Sequence, residues 1–369
     1  MNIAIFTPSQ NPYSETFIQA HKNYLKGRVF YYYGEGQGIQ LEGQGALCSV
    51  SKHRLLTLQA KVLKWPKNKV RDAKVLSSLK DNKIDVILVE YGTHAHNIQS
   101  VLKASGLPVI VHFHGYDASK YKAIARCKQY KEVFEMATTI ICVSTKMQEM
   151  LLELGCPKDK LVYNVYGPQK EFEAIQPKFS KQQFVAIGRF TDKKAPYYTI
   201  MAFKKAADNF PDARLLMAGN GALLNTCKNL VKQFNLEQKV VFLGIIKPEE
   251  YRKLLTESLA FVQHSITAAD GDMEGTPLAV LEASVAGVPV IATNHAGIPD
   301  VIKHGKTGLL CNEHQVAIMA QHMEQVLANT NLAKQLGAEG KQHILNHYTV
   351  QRHIQALDAL MLQALNNSK

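Results

Sequence analysis

Short runs of continuous apolar residues alternate with longer stretches in which apolar positions recur every three or four residues. In the first half the short runs are 3–6, 29–33, 86–89, 109–112, 140–143 and 161–165. In the second half they are 184–187, 214–217, 240–242, 259–263, 288–291 and 308–310. Each has the length and composition of a buried β-strand. Intervening stretches such as 197–209, 223–234 and 249–255 carry helical spacing, as does a last segment from about 350 to 367. Strands that are apolar throughout need cover on both faces, which implies parallel sheets between layers of helices. The pattern restarts near residue 184. The expected fold class is therefore α/β, with two similar, doubly wound domains. Their boundary is placed in YGPQKEFEAIQPKFS, residues 166–180, which lacks periodicity. Ligands of such domains sit beyond the C-terminal strand ends, so the expected site is a central cleft that the two domains face.

Composition narrows the class. The chain has 369 residues, 46% hydrophobic and 20% charged, the balance of a soluble globular protein of two ordinary domains. The opening MNIAIFTPSQ reads as a first strand and not as a signal peptide. No stretch approaches the ~18 uninterrupted apolar residues of a membrane-spanning helix. The six cysteines are scattered, without a CxxC pair, and read as reduced thiols in the cytoplasm. The net charge of +12 is unevenly placed: residues 1–170 hold 23 Lys and Arg against 13 Asp and Glu. Between Lys52 and Lys80 nine basic residues face one acid, Asp72, with Leu55, Leu56, Leu58, Val62, Leu63 and Trp65 interleaved. Such a segment suits peripheral contact with an anionic membrane, at the inner face of the cytoplasmic membrane. A solvated helical face accounts for it equally well. Nucleic acid is not an expected partner, because no recognition module or set of stacking aromatics is present.

The candidate chemistry begins with MEGTPLAVLEASVAGVPV, where Glu274 and Glu282 flank what reads as a helix start. Thr276 suits the N-cap, Pro277 the first helical position, and Gly287 a left-handed C-cap after a helix running to about Ala286. Unpaired amides at a helix N-terminus favour an anion, typically phosphate. Eight helical residues rise about 12 Å, so the two carboxylates could bracket a phosphate, each accepting hydroxyl hydrogen bonds. A nucleotide sugar has that order: hexose, diphosphate, ribose. In VAIGRFTDKKAP, Arg189 and Lys194 follow the first strand of the second half, where fixed cations could offset a diphosphate. Taken alone, they read first as surface charges; beside the Glu274–Glu282 segment they read as a diphosphate pair. In VHFHGYDAS, His114, Gly115 and Asp117 sit at a strand end. His114 could be a plain structural histidine, or Asp117 could orient its ring or bind a hydroxyl. The first loop, TPSQNPYSETFI, has no GxGxxG, and Ser14 or Thr16 could cap the next helix or face phosphate or acceptor. Asp270 and Asp272 resemble a metal-binding pair, but Arg189, Lys194 and the helix terminus already supply positive potential, so no metal is expected.

Together these motifs resemble glycosyltransferase family 4, retaining enzymes of the two-Rossmann architecture called GT-B. EGTPLAVLE resembles the family's E-x7-E motif, and SETFI, HGYD, GRFTDKKA, LLMAGNG, VVFLG and AADGDMEGTP follow in the family's order along nearly the whole chain. The resemblance implies that Glu274 contacts the donor hexose, Glu282 the ribose, and Arg189 and Lys194 the diphosphate. It implies helix-terminal phosphate contacts from Gly275, Thr276, Pro277 and Leu278, and places His114 near the donor sugar and the transferred bond. It also implies a first domain over 1–170, joined by a final helix, about 350–369, that crosses back to it, and a donor domain over 171–349. Two positions depart from the family: Ala195 stands where a glycine usually follows the lysine, and the first loop lacks a Gly-Gly. The latter fits the SETFI subgroup, whose members mostly build bacterial surface polysaccharides.

The expectation is thus a hexosyltransferase that uses a UDP-, GDP- or similar nucleotide sugar and a glycan or lipid-linked acceptor, without metal or other cofactor. A GT-B enzyme of another reaction, such as a sugar phosphorylase or a nucleotide-sugar epimerase, and a non-catalytic bilobal sugar-binding protein remain open. The nucleotide base, the sugar and the acceptor are not legible.

Overall fold

The structure is a computed structural model that describes residues 1–10, 15–44 and 46–367. The chain forms two compact units, one of residues 1–164 together with the C-terminal segment from His353, the other from Val165 to Arg352.

The first unit is built on β1 (Asn2–Thr7), β2 (Arg28–Tyr33), β3 (Gln40–Leu41), β4 (Val86–Glu90), β5 (Val109–His112), β6 (Thr139–Cys142) and β7 (Leu161–Tyr163), in the order β3-β2-β1-β4-β5-β6-β7. All neighbours pair in parallel except β3, which runs antiparallel to β2 through Tyr32↔Leu41 and Tyr33↔Gln40. Two residues are too few to carry a periodic signal, which is why β3 is invisible in the pattern. The central strands are apolar because both faces are covered: Ile3, Ile5, Ile87, Val89, Ile110 and Val111 have no exposed surface. Strand order reverses between β1 and β4, so the ends of those strands mark the switch point where an open sheet presents ligand-facing groups.

The last helix, Val350–Asn366, supplies this unit with a further core face. Leu357 and Met361 are wholly buried, and Ile354 and Ala364 nearly so. Two long-range bonds tie it down: Lys26 N–H donates to Asp358 Oδ1 at 2.9 Å, and Asn164 Nδ2 donates to the His353 carbonyl at 3.2 Å.

The second unit repeats the plan with β8 (Gln183–Ile187), β9 (Arg214–Ala218), β10 (Val240–Gly244), β11 (Ala260–Gln263), β12 (Val290–Thr293) and β13 (Gly308–Cys311), in the order β10-β9-β8-β11-β12-β13, all parallel. The run expected at 288–291 begins pairing only at Val290, because Val288 and Pro289 complete the exit from the Gly287 turn. Helix Pro196–Asn209 buries Ile200, Phe203 and Ala206 against Phe184 and Leu215 of the sheet. Here the switch point lies between β8 and β11. Gly219, after β9, brings the neighbouring loop onto it: its φ is +132°, and a Cβ there would lie 1.9 Å from the Gly188 carbonyl oxygen.

Candidate functional sites

In the second unit the loops after β8 and β11 close on a cavity of about 30 Å³ lined by Gly188, Arg189, Phe190, Lys194, Thr199 and Gln263, among others. Lys194 is set by a tight turn over Asp192–Lys194, followed by Ala195 at φ 35°, ψ 52°. That left-handed geometry is the physical reason a glycine suits the position, and Ala195 accepts it with some strain. Lys194 Nζ lies 3.2 Å from Glu274 Oε1 and donates to Gln263 Oε1 at 3.4 Å. Glu274 Oε1 is buried and, apart from this ion-pair approach, receives no well-directed hydrogen bond. Burial would push the Glu274 carboxyl up, but Lys194, Lys193 and His295 outweigh that and hold it below its usual value. Glu274 is therefore a charged acceptor with capacity to spare. Arg189 is exposed and forms no ion pair among the described residues.

The helix after Glu274 spans Leu278–Val285, one position later than the sequence implies. Pro277, not Thr276, is the N-cap residue, with φ −66° and ψ 121°, and no side chain caps the helix. Thr276 is buried instead. Pro277 cannot donate, and the amides of Leu278 and Ala279 take no backbone acceptor among the described residues. The first turn thus leaves two amides without a backbone acceptor, an arrangement that favours an anion. Glu282 lies on the second turn near Tyr251, whose hydroxyl donates to the Ala279 carbonyl at 3.1 Å. The surrounding protein pushes the Glu282 carboxyl up to about 7, although its side chain keeps some solvent contact.

The aspartates before the helix have a structural task. Asp272 Oδ1 pairs with the buried Lys193 at 2.8 Å, Lys193 also donates to the Met273 carbonyl at 3.0 Å, and Asp270 Oδ1 accepts from the Asp272 amide at 3.1 Å. Sequence reasoning passed over Lys193 in favour of its neighbour Lys194. It also missed His295 and Glu313. His295 Nε2 accepts the Glu274 amide at 3.2 Å, while Nδ1 faces Glu313 Oε1 at 2.6 Å, so the proton sits on Nδ1. This pair fixes the backbone that carries Glu274.

In the first unit His114 is buried just after β5, and its Nε2 lies 2.8 Å from Oε2 of Glu90, the last residue of β4. Glu90 has no exposed surface, and its other oxygen meets His21 Nδ1 at 2.6 Å. Burial would raise its carboxyl, but His21 and His114 reverse this and hold it at about 2. Asp117 does not orient the ring, contrary to one of the sequence readings. Its Oδ1 accepts the amides of His114 and Gly115 at 3.0 and 2.9 Å, and its Oδ2 the amide of Gly92 at 2.9 Å. It is fully buried and organises the loop, which leaves it unsuited to binding a ligand hydroxyl. Thr16 is the first residue of helix Thr16–Tyr24, with Glu15 at the N-cap and no side-chain cap bond, so Thr16 does not cap that helix. Ser14 lies outside the described residues. Glu90 was missed because a lone acid closing an apolar run carries no motif. Glu90, His21 and His112 each bring one ligand-type atom within 4.8 Å of the others, close enough to hold an ion. The 2.6 Å contact between His21 and Glu90 is the length of a hydrogen bond. It is shorter than the ~3.3 Å that separates two ligands of one tetrahedral zinc at the usual bond lengths.

Residues 48–164 match the family Glycosyltransferase Family 4, and residues 168–343 match Glycosyl transferases group 1. The chain is 28% identical over 261 residues to the putative colanic acid biosynthesis glycosyltransferase WcaL of Escherichia coli, covering 69% of this chain and 63% of the relative. It is 30% identical over 243 residues to the amylovoran biosynthesis glycosyltransferase AmsK of Erwinia amylovora, covering 64% and 60%. The match therefore spans somewhat less than two thirds of those relatives' length. Among solved structures, HepE of Anabaena in complex with UDP superposes with a TM-score of 0.78 at 13% identity, over 98% of this chain and all of that one, a likeness of fold. No helix among the described residues is long and apolar enough to cross a membrane. The two family matches thus fall in order on the two Rossmann-like sheets of a GT-B fold, residues 48–164 in the first unit and residues 168–343 in the second.

Proposed function

We propose that the protein is a retaining glycosyltransferase that moves a hexose from a nucleotide-diphosphate sugar to a hydroxyl of a glycan or lipid-linked acceptor, in the synthesis of a bacterial surface polysaccharide. The observation that carries this reading is the Glu274 carboxylate, buried beside Lys194 and left without a well-directed donor at the switch point of its sheet. In this reading Glu274 accepts hydrogen bonds from the donor hexose, and Glu282 from the ribose. The free amides at Leu278 and Ala279, with Lys194 and Arg189, stabilise the departing diphosphate. His114 sits beside the donor sugar. The acceptor hydroxyl attacks on the face from which the diphosphate leaves and passes its proton to the leaving phosphate, so no side chain need serve as a covalent nucleophile.

The reaction is read as metal-independent, because Asp272, the aspartate best placed to suggest a metal, is engaged by Lys193. The polysaccharide assignment is supported by the likeness to the colanic acid and amylovoran biosynthesis glycosyltransferases WcaL and AmsK. The basic segment from Lys52 to Lys80, in which helix Val50–Val62 buries no residue, is read as the contact with an anionic membrane, which brings a lipid-linked acceptor within reach.

Screening UDP-, GDP- and ADP-sugars by thermal shift identifies the donor, since a ligand that binds only the folded state raises its melting temperature. With that donor, Glu274→Ala and Arg189→Ala each lower transfer by about 10²-fold or more while the melting temperature stays near wild type. EDTA leaves turnover unchanged. Near-normal turnover in both variants would sink the assignment, and inhibition by EDTA would remove the metal-independent part of it.

A further inference from the structure

The first unit contains a buried chain of titratable side chains of which the proposed reaction uses only the last, His114. It runs from His353 on the C-terminal helix, through His21 on helix Thr16–Tyr24 and Glu90 at the end of β4, to His114 after β5. His353 Nε2 meets His21 Nε2 at 2.8 Å, His21 Nδ1 meets Glu90 Oε1 at 2.6 Å, and Glu90 Oε2 meets His114 Nε2 at 2.8 Å. His21 and Glu90 have no exposed surface, and His353 and His114 almost none. Four polar groups from four separate elements are an expensive way to fill a core, because each loses water on burial. Ordinary packing gives no reason for them to line up atom to atom.

The chemistry of the chain fixes where its protons lie. An ionised carboxylate only accepts hydrogen bonds, so each ring nitrogen that faces Glu90 carries a proton. His114 is then protonated on Nε2, and its other nitrogen, Nδ1, is on the opposite edge of the ring. His21 is likewise protonated on Nδ1, which turns its Nε2 toward His353. The ring of His114 is also held on its faces. Phe17 lies 4.7 Å away, centroid to centroid, Tyr91 at 4.6 Å edge-on and His112 at 4.4 Å. Aromatic neighbours restrain tilt but leave the ring free to flip about its own axis. The bond to Glu90 removes that freedom.

We infer that Glu90 is a positioning residue that sets the tautomer and ring orientation of His114, and that His21 and His353 anchor it to the C-terminal helix. This rests on the reading that His114 sits beside the donor sugar. A tautomer set by the bond to the opposite nitrogen is the usual way a histidine is prepared for a defined task. Here the arrangement decides which edge of the imidazole a sugar meets.

The test has a readout that does not depend on turnover. In protein labelled with ¹⁵N-histidine, two-bond ¹⁵N–¹H correlations report which nitrogen of each ring bears the proton, and His114→Gln assigns the His114 signals by their loss. Wild-type protein at pH 8 shows Nε2 of His114 protonated. An unprotonated Nε2 overturns the inference without any variant at Glu90 having to fold. In Glu90→Gln, whose amide can donate as well as accept, the His114 signals report a changed tautomer population. kcat for transfer falls about 10- to 100-fold, as expected for a misplaced group, with the donor KM within about threefold of wild type. His353→Gln, at the far end of the chain, gives a smaller change of the same kind. Unchanged His114 signals and unchanged kcat in Glu90→Gln also overturn it. If His114→Gln itself transfers sugar normally, the functional reading of His114 fails, while the tautomer result still reports on Glu90.

Discussion

Glu282 carries a cost at the scale of the single residue. Its carboxyl ionises near pH 7 in the folded protein because the surrounding protein strips water from the charge, whereas in the unfolded chain it ionises near 4.5. The folded state therefore holds this proton more tightly. Below about pH 4.5 both states are protonated and Glu282 costs nothing. From there up to about pH 7 the folded state binds more protons than the unfolded one, so the group lowers stability steadily as pH rises. Glu282→Gln removes this dependence. Urea midpoints measured from pH 5 to 8.5 should show the variant losing less stability than wild type over that range; parallel curves would show that Glu282 is not perturbed. Ribose hydroxyls would offset the same cost by donating to the ionised carboxylate. Glu274 and Glu282 are legible in sequence because they share one short segment whose helix start is also visible. His295, Glu313 and Glu90 are not, because each acts through a partner on another element, and only the folded chain brings them together.

Elements were legible in proportion to their length and burial. The apolar strands stood out because both faces are covered, and their ends shifted by a residue or two where a turn, such as the one at Gly287, intervenes. The one-residue error at the key helix has a definite cause. Thr276 and Pro277 make a good cap-and-first-turn pair in isolation, but Pro277 takes an extended ψ of 121° and Thr276 turns into the interior. The basic segment shows the opposite case, in which composition was plain and its meaning was not. Helix Val50–Val62 is capped by Ser49, whose Oγ accepts the Lys52 amide at 3.4 Å, and it buries none of its own residues. Val50, Leu55, Leu58, Val62 and Leu63 are all more than half exposed, beside the exposed Lys52, Arg54, Lys61, Lys64 and Lys69. A helix that turns both greasy and cationic side chains outward gains little from the core beneath it, and an anionic bilayer satisfies both kinds. Replacing Lys52, Lys61, Lys64 and Lys69 with glutamine should weaken sedimentation with phosphatidylglycerol vesicles strongly, since each lysine near such a surface contributes about 1 kcal/mol. The melting temperature should not move. Binding that is equal in the variant and insensitive to added salt would assign the segment to solvent instead.

For the whole molecule, the question is why a chain that has already built two sheets sends its last helix to the first of them. Residues 353–367 come after the second unit in sequence but belong to the first in structure. They bring in Leu357 and Met361 as core, Asp358 as the acceptor of the Lys26 amide, and His353 as the partner of His21. The first unit is therefore incomplete without residues that follow the second unit in sequence, whereas the second unit contains its whole sheet and cavity within Val165–Arg352. A chain that ends at Arg352 should separate the two. Its first unit loses a buried helical face and leaves the amide of Lys26 and the ring of His21 without these partners, a loss of several large apolar side chains at about 1.5–3 kcal/mol each. Its second unit keeps every residue of the cavity that lines Lys194 and Gln263. Hydrogen exchange should then show the strands of the first sheet, β1 through β7, losing protection while β8 through β13 keep theirs. A synthetic peptide of residues 353–369 added at high concentration should restore protection to the first set alone. Protection retained throughout the first sheet in the truncated chain would mean that the unit folds without its returning helix, and that His353 contributes to the buried chain of side chains without being needed for the core.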